Sequence, residues 1–263
     1  MISFVGAGPG APELITLRGR DHLAAADVVV WASSLVPEAV LAHARPGAAV
    51  HDSASMTLED VLAVYSAAGP DDAVVRLHSG DPSIYGAIGE QIEWCAAHER
   101  DFEIVPGVSS LAAASAAVGR ELTQPGVAQS VVLTRLGGRT SASMPAGESV
   151  AAFAAHGATM AVFLSAARPV ELATELLAGG SAYTADTPAA IVARASWPDE
   201  RVVTTTVGRL TEDLSELGAR TTVLVLVGPA LAGAGGRSHL YSPGFAHMFR
   251  RRSAPGTTAG RPA

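Results

Sequence analysis

The stretch MISFVGAGPGAPELITLRGRDHL (residues 1–23) decides the fold, because it places a strand, a glycine loop and a helix one after another. Residues 2–6 are mostly apolar and end in glycine, which predicts a short buried strand. We predict that the following helix runs from about Ile15 to Ala26. A strand that passes through a tight loop into a helix is typical of an α/β fold with a parallel sheet.

The loop GAGPG (residues 6–10) differs from the glycine fingerprint of dinucleotide-binding folds. That fingerprint, G-x-G-x-x-G, requires its third glycine at position 11, where this chain has Ala11. Pro9 and Pro12 have no N–H group, whereas a phosphate is held by free backbone N–H groups at a helix start. The loop is suited to close approach of a ligand to bare backbone, and a tight turn without any ligand is the alternative. We expect a branched side chain at Gly8 to fill space reserved for a ligand.

The alternation of short apolar strands with longer alanine-rich helices continues along the chain and predicts an α/β fold with two lobes. We place the first lobe at residues 1–120, the second at 121–235, and a partly disordered tail at 236–263. The predicted strands are residues 2–6, 27–32, 48–52, 73–81 and 102–107, followed by 130–135, 159–164, 189–194, 200–208 and 221–228. Only the segment ASWPD lies between the strands at 189–194 and 200–208, so we expect these two to pair antiparallel.

Composition excludes several classes of protein. The formal charge of −7 argues against nucleic acid as the main partner. Cys95 is the only cysteine, so the chain can form no internal disulfide, and a reducing, cytoplasmic location is expected. The apolar stretches fall short of the roughly 18 residues that a membrane helix needs, so we expect no membrane partner. The histidines are scattered without metal-ligand spacing, so we expect no metal site.

Glycine- and serine-rich loops follow several predicted strands. They are SGDPSIYG (79–86), PGVSS (106–110) and TRLGGRT (134–140), in addition to the first loop. Open parallel sheets bind their ligands at the carboxyl ends of the strands, so these loops predict a cleft lined by backbone and small hydroxyl groups. The chain has no G-x-S-x-G elbow and no G-x-x-x-x-G-K-[ST] loop, which excludes a serine hydrolase and a P-loop NTPase.

Single residues in these loops allow two interpretations each. Asp81 either caps a helix that starts near Pro82, which we favour, or keeps a turn open beside a ligand. Arg135 and Arg139 are either solvated or directed at carboxylates, which arginine binds through its planar fork. We expect His78 to be packed in the core rather than to act as a general base.

The order of these loops resembles the tetrapyrrole (corrin/porphyrin) methyltransferases, which use S-adenosylmethionine. The family has a Gly-x-Gly-Pro-Gly loop, a Gly-Asp-Pro turn and a Pro-Gly-x-Ser/Thr loop, and the chain carries all three between Gly6 and Ser109. The resemblance spans roughly residues 1–230. It implies two α/β/α lobes with S-adenosylmethionine in the cleft between them, and a homodimer.

The resemblance also implies site residues. The family's cofactor contacts fall on Pro9, Ser79, Gly80, Asp81, Ile84, Ser109, Ser110, Leu164 and Ala195. A tetrapyrrole substrate carries many carboxylates, so an acidic protein requires a locally basic cleft. Our candidates for substrate binding are Arg135, Arg139 and Arg194, with Ser53, Ser55 and Thr140 as neutral donors. No catalytic residue is identified, because positioning alone can supply roughly 7–11 kcal/mol.

Within the family, four stretches resemble the members that methylate carbon 11 of precorrin-4 in cobalamin synthesis. They are WASSLVPEAVL (31–41), HDSASMTLEDV (51–61), LTRLGGRT (133–140) and SHLYSPGFAHMFR (238–250). Members that act on uroporphyrinogen carry an aspartate just after the second strand, where this chain has Ala32 and no ionisable group from Val28 to Val36. The alternatives are a family member acting on another ring carbon, a non-catalytic nucleotide-binding module, and an NAD-dependent oxidoreductase.

Overall fold

The computed structural model describes residues 1–137, 144–145, 147–233, 235–236 and 238–251. The chain divides into two compact units. The first comprises Met1–Val118, Ile191–Val203 and Ala219–Leu224, and the second comprises Gly119–Ala190, Thr204–Gly218 and Val225–Ala263. The predicted boundary at residue 120 lies close to the end of the first run, at Val118. Two later segments also belong to the first unit, which local sequence patterns do not indicate.

The first sheet has five strands: β1 (Ile2–Gly6), β2 (Val28–Trp31), β3 (Ala49–Asp52), β4 (Val74–His78) and β5 (Phe102–Val105). Their order is β3-β2-β4-β1-β5, and all four neighbouring pairs are parallel. The helices of this half are α1 (Leu17–Ala25), α2 (Leu58–Ala67), α3 (Gly89–Ala97) and α4 (Ser110–Val118). The five strands predicted here from short apolar runs are confirmed, and so is the α/β class.

Alternation of side chains along the strands builds an apolar cluster on each face of this sheet. Val5 and Val75 belong to one cluster, whereas Phe4 and Val74, one position away, belong to the other. Burial on both faces explains why β1 and β2 are nearly continuous apolar runs, whereas the edge strands β3 and β5 are more exposed and carry polar residues. Helix α2 begins with a reciprocal capping box formed by Thr57 and Asp60.

The second sheet contains the other five predicted strands: β6 (Val131–Arg135), β7 (Thr159–Phe163), β8 (Pro188–Ala193), β9 (Arg201–Thr206) and β10 (Val223–Val227). Their order is β6-β7-β10-β8-β9, with β6 parallel and β10 antiparallel to β7. The two strands expected to pair, β8 and β9, are neighbours. The helices are α5 (Val150–Ala154), α6 (Pro169–Leu176) and α7 (Leu210–Leu217).

One helix starts later than predicted. The residues after Pro82 form a turn, and α3 begins only at Gly89. Tyr85 and Ala87 adopt φ of 56° and 49°, which a right-handed helix does not contain. The interpretation of Asp81 as the cap of a helix starting near Pro82 is therefore wrong.

Two further predictions concern membrane-spanning helices and the C-terminal tail. Among the described residues, no helix has the length and apolar character needed to cross a membrane. The predicted disorder of the last ten residues concerns a segment outside the described ranges, as do Arg139 and Thr140.

Candidate functional site

Three loops of the first unit meet at the carboxyl ends of adjacent strands. The loops after β1 and β4 pair through Gly8 and Gly80, whose N–H groups and carbonyls exchange hydrogen bonds of 3.3 and 2.8 Å. The loops after β1 and β5 touch through Gly6 and Gly107, where a Cβ on Gly6 would lie 2.5 Å from the Cα of Gly107. A Cβ on Gly107 would lie 2.1 Å from the carbonyl oxygen of Gly80. Glycine at these positions lets three backbones pack directly against one another.

Gly8 is required by the loop itself. Its φ is +81°, a conformation that L side chains rarely adopt, and a Cβ would lie 2.9 Å from the carbonyl oxygen of Leu14. The direction in which a side chain would project is therefore occupied by protein backbone. The expectation that Gly8 keeps space free for a ligand is wrong.

The N–H groups of the first loop are mostly consumed within the unit. Ala7 donates to the carbonyl of His78 at 2.8 Å, Gly8 to Gly80, and Ala11 to the Oγ of Ser196 at 3.0 Å. Pro9 has no N–H, and a 3-10 turn over Pro12–Leu14, rather than an α-helix, follows the loop. A pyrophosphate requires several free N–H groups at a helix start. The loop therefore does not fit a dinucleotide, which argues against the oxidoreductase alternative.

Asp81 ties the loop after β4 to the loop after β5. Its carboxylate accepts hydrogen bonds from the N–H and hydroxyl of Ser83 and from the N–H of Gly107, the two N–H bonds measuring 2.8 Å. Partial burial opposes ionisation, yet these hydrogen bonds hold the pKa of Asp81 below its usual value. The carboxylate thus fixes the geometry of both loops, and the groups left for a ligand are backbone and hydroxyl groups around it.

The predicted cofactor residues of the first unit surround this junction. A Cβ on Gly80 would lie 3.5 Å from the N atom of Ser110 and 3.7 Å from the Cα of Ser109, so Gly80 packs beside the start of α4. The hydroxyl of Ser109 accepts a hydrogen bond from the N–H of Leu111 at 3.3 Å, and Ser109 is half-buried. Ser79 and Ile84 are likewise half-buried on either side of the turn.

The residues after β8 support the first loop, a contact that the sequence pattern does not predict. The indole N–H of Trp197 donates to the carbonyl of Pro9 at 3.0 Å, across 188 positions of sequence. A Cβ on Gly10 would lie 2.2 Å from the indole ring and 3.0 Å from the carbonyl oxygen of Ala195, so Gly10 lets the buried Ala195 and the ring approach. We call residues 194–200 the Trp197 strap. The available signal was a tryptophan in a polar loop that directly follows a strand.

Arg194 lies within this strap and has partners of its own. Its Nε donates to the carboxylate of Asp199 at 2.6 Å, and its guanidinium lies 3.9 Å from the centre of the Trp197 ring. Arg194 and Ser196 also have positive φ of 52° and 65°. Because its charge is paired, Arg194 is a weaker candidate for substrate binding than the sequence indicated, and that role stays a prediction.

The other predicted residues lie at strand ends in both sheets. Ser53 is buried after β3 and donates to the carbonyl of Trp31 at 2.9 Å, whereas Ser55 is exposed. Arg135 ends β6 and is half-buried, and Leu164 directly follows the neighbouring parallel strand β7. Leu164 is 65% exposed with φ of 52°, a conformation that is strained for a branched apolar residue.

A carboxylate lies beside Ala32 although the local sequence has none. Asp52, at the end of β3, accepts a hydrogen bond of 3.0 Å from the N–H of Ser33 and another of 2.9 Å from Ala54. Hydrogen bonds from Ser33 are the main cause that lowers the pKa of Asp52. The residues from Val28 to Val36 contain no ionisable group, but the parallel neighbour β3 supplies the carboxylate of Asp52 to this edge of the sheet.

A buried polar layer lies beneath the loops, on the face of the sheet that also carries Phe4. His78 is 7% exposed, and burial, with the nearby charge of Arg76, lowers its pKa to about 3. The imidazole is therefore neutral at physiological pH. This confirms His78 as a packed histidine. Tyr65 donates to Gln91 at 2.7 Å within the same layer, and burial raises the pKa of Tyr65.

Comparisons with known proteins agree with this architecture. A family model described as Tetrapyrrole (Corrin/Porphyrin) Methylases matches residues 1–211. A precorrin-4 C(11)-methyltransferase of Sinorhizobium sp is 44% identical over 253 residues, which cover 95% of this chain and 98% of that protein. The solved structure of a cobalt precorrin-4 methyltransferase, a cobalamin biosynthetic enzyme, matches with a TM-score of 0.82 and 42% identity over 88% of this chain and 95% of that one. A uroporphyrin-III C-methyl transferase from Thermus thermophilus, complexed with S-adenyl homocysteine, matches with a TM-score of 0.72 and 33% identity over 88% and 99% of the two chains.

Proposed function

Because the chain belongs to the tetrapyrrole (corrin/porphyrin) methylase family, we propose that it transfers a methyl group from S-adenosylmethionine to carbon 11 of precorrin-4 or of cobalt-precorrin-4. This reaction belongs to cobalamin biosynthesis. The names of the relative at 44% identity and of the structure at 42% identity support this substrate, one without cobalt and one with it. A methyltransferase of the same family acting on another ring carbon is the second candidate.

One structural observation carries the cofactor proposal: the three loops converge, and residues 6–11, 79–86 and 106–110 contain no arginine or lysine. In the first loop, most N–H groups are already bonded within the unit. S-adenosylmethionine carries a sulfonium cation and no phosphate, so a site of carbonyl and hydroxyl groups fits it better than it fits a dinucleotide. A Cβ on Gly80 would be in van der Waals contact with the backbone of Ser109 and Ser110, so the loop after β4 lies directly beside the start of α4. The complex of the 33% identical relative with S-adenyl homocysteine supports the same proposal.

The proposed cofactor residues have different roles. We assign contacts to the buried Gly80 and to four half-buried residues of the same two loops, Ser79, Ile84, Ser109 and Ser110. Asp81 acts by holding the loops. Pro9 shapes the first loop, since its carbonyl is already bonded to Trp197. Leu164 and Ala195 remain proposed contacts on the resemblance alone.

The protein's part in the reaction is positional. S-adenosylmethionine supplies an electrophilic methyl group, and an electron-rich tetrapyrrole carbon can accept it without a covalent intermediate on the protein. Glycine-on-glycine packing and the Asp81 carboxylate make the loops rigid, which is what in-line alignment of two reactants requires. Arg135 and Arg139 are the proposed ligands of substrate carboxylates.

To test the proposal, purified protein is incubated with methyl-labelled S-adenosylmethionine and one tetrapyrrole at a time. The three tetrapyrroles are precorrin-4, cobalt-precorrin-4 and uroporphyrinogen III. Mass spectrometry and NMR then locate the label on the ring. We expect label at carbon 11 of one or both precorrin-4 forms and none in uroporphyrinogen III. Label in uroporphyrinogen III alone would overturn the proposal in favour of the second candidate.

A further inference from the structure

We propose that Arg76, in the middle of the buried sheet, binds a carboxylate of the tetrapyrrole substrate at the carboxyl end of β4. This inference rests on the proposed function, which requires binding of an acidic ring, and it names a residue that the loop motifs do not contain. Arg76 lies in β4, two residues before His78, and its register partners are Phe4 in β1 and Val30 in β2.

Arg76 is a half-buried cation whose Nε is fully buried, and it has no acidic partner among the residues that the structure describes. The seven ion pairs found there include Arg20 with Asp21 and Arg45 with Asp27, but none involves Arg76. Burial is the main cause that lowers its pKa. Withdrawing a charge from water without a counter-charge is costly, so this half-buried guanidinium is suited to a partner of opposite charge that the described part of the chain does not supply.

The guanidinium is held in a fixed orientation. Its Nη1 donates to the Oγ of Ser53 at 2.6 Å, and Ser53 in turn donates to the carbonyl of Trp31. The Nε of Arg76 is fully buried without a partner in the described part of the chain. Nη2 has no hydrogen bond there either, yet it is not among the fully enclosed atoms. The head group thus presents Nη2 at the strand end, beside the loop of Ser53 and Ser55.

The position matches the rest of the proposed site. β4 runs directly into Ser79 and Gly80, which border the proposed cofactor contacts, and β3 runs into the Ser53 loop. A substrate carboxylate bonded to Nη2 would neutralise the charge of Arg76. Ser55, which follows the end of β3, is an exposed hydroxyl near Ser53 in the sequence. The neighbouring groups on this face, Tyr65 and His78, are both neutral at physiological pH and so leave Arg76 without competition for the anion.

The variant Arg76→Met tests the inference, with Arg20→Met as the matched control. Both lose one positive charge, but Arg20 is an exposed arginine on α1 paired with its neighbour. Variants and wild type are compared for kinetics with the tetrapyrrole that the wild type methylates, for S-adenosylhomocysteine affinity by calorimetry, and for urea unfolding without ligand.

We expect Arg76→Met to raise KM for the tetrapyrrole about 30-fold or more, as for the loss of one partner of a buried charge pair. S-adenosylhomocysteine affinity should stay within about twofold, and ligand-free stability should be unchanged or higher, because the unpaired charge is gone. Unchanged KM would overturn the inference, and so would a parallel loss of stability, cofactor affinity and turnover, which indicates a structural arginine. Wild-type protein that methylates no tetrapyrrole would instead contradict the proposed function.

Discussion

Replacing Trp197 with phenylalanine should weaken cofactor binding by loosening the first glycine loop. The substitution removes the indole N–H that donates to the carbonyl of the buried Pro9. It keeps an aromatic ring beside Gly10 and under Arg194. The Trp197 strap would therefore remain folded but would lose its hydrogen bond to the first glycine loop.

The size of the effect follows from two contributions. A neutral hydrogen bond to a buried carbonyl contributes about 1 kcal/mol. Phenylalanine also binds the guanidinium of Arg194 less well than tryptophan does, which costs about 0.5 kcal/mol. If the sum of about 1.5 kcal/mol separates the ordered from the disordered loop, S-adenosylhomocysteine affinity falls by up to about tenfold.

Calorimetry with S-adenosylhomocysteine, paired with urea unfolding, measures the two consequences separately. Trp94→Phe is the control, because the ring of Trp94 in α3 stacks on His98 at 4.2 Å and packs against Tyr65. It should leave the affinity unchanged. A Trp197→Phe protein that is less stable but binds S-adenosylhomocysteine as tightly as the wild type would refute the argument that the strap positions the loop.

Three further outcomes are expected. Gly107→Ala should destabilise the protein by about 2–3 kcal/mol in urea unfolding, because its Cβ would lie 2.1 Å from the carbonyl of Gly80, whereas Gly89→Ala, with nothing within 4 Å, should be neutral. The folded pKa of His78, about 3, lies below its ordinary 6.5, so the stability it contributes is present above pH 6.5 and is lost as pH falls. Between pH 7 and pH 5 the wild type should lose about 2 kcal/mol more unfolding free energy than His78→Gln, and equal losses would contradict a neutral buried imidazole. Arg135→Ala should raise KM for the tetrapyrrole and spare S-adenosylhomocysteine affinity, and unchanged kinetics would return Arg135 to a surface role.

The sequence by itself determined the class of fold and the place of the ligand loops. Ten short apolar runs predicted ten strands, because burial on both faces of a parallel sheet leaves a local, continuous apolar signal. The loops GAGPG, SGDP and PGVSS could also be predicted from the sequence. Proline restricts the backbone at its own position and glycine permits conformations that other residues rarely adopt, so both mark loops locally. The family resemblance depended on these local features alone.

Tertiary structure decided which groups of those loops are available. The N–H of Ala11 and the carbonyl of Pro9 are bonded to Ser196 and Trp197, and the carboxylate beside Ala32 comes from Asp52. These contacts join residues that are far apart in sequence. They exist only because β3, β2, β4, β1 and β5 adopt that spatial order and because the 191–203 segment returns to the first unit. Local periodicity carries no information about strand order or chain return, so the hydrogen bonding of the glycine loop and the missing counter-charge of Arg76 could be recognised only in the folded chain.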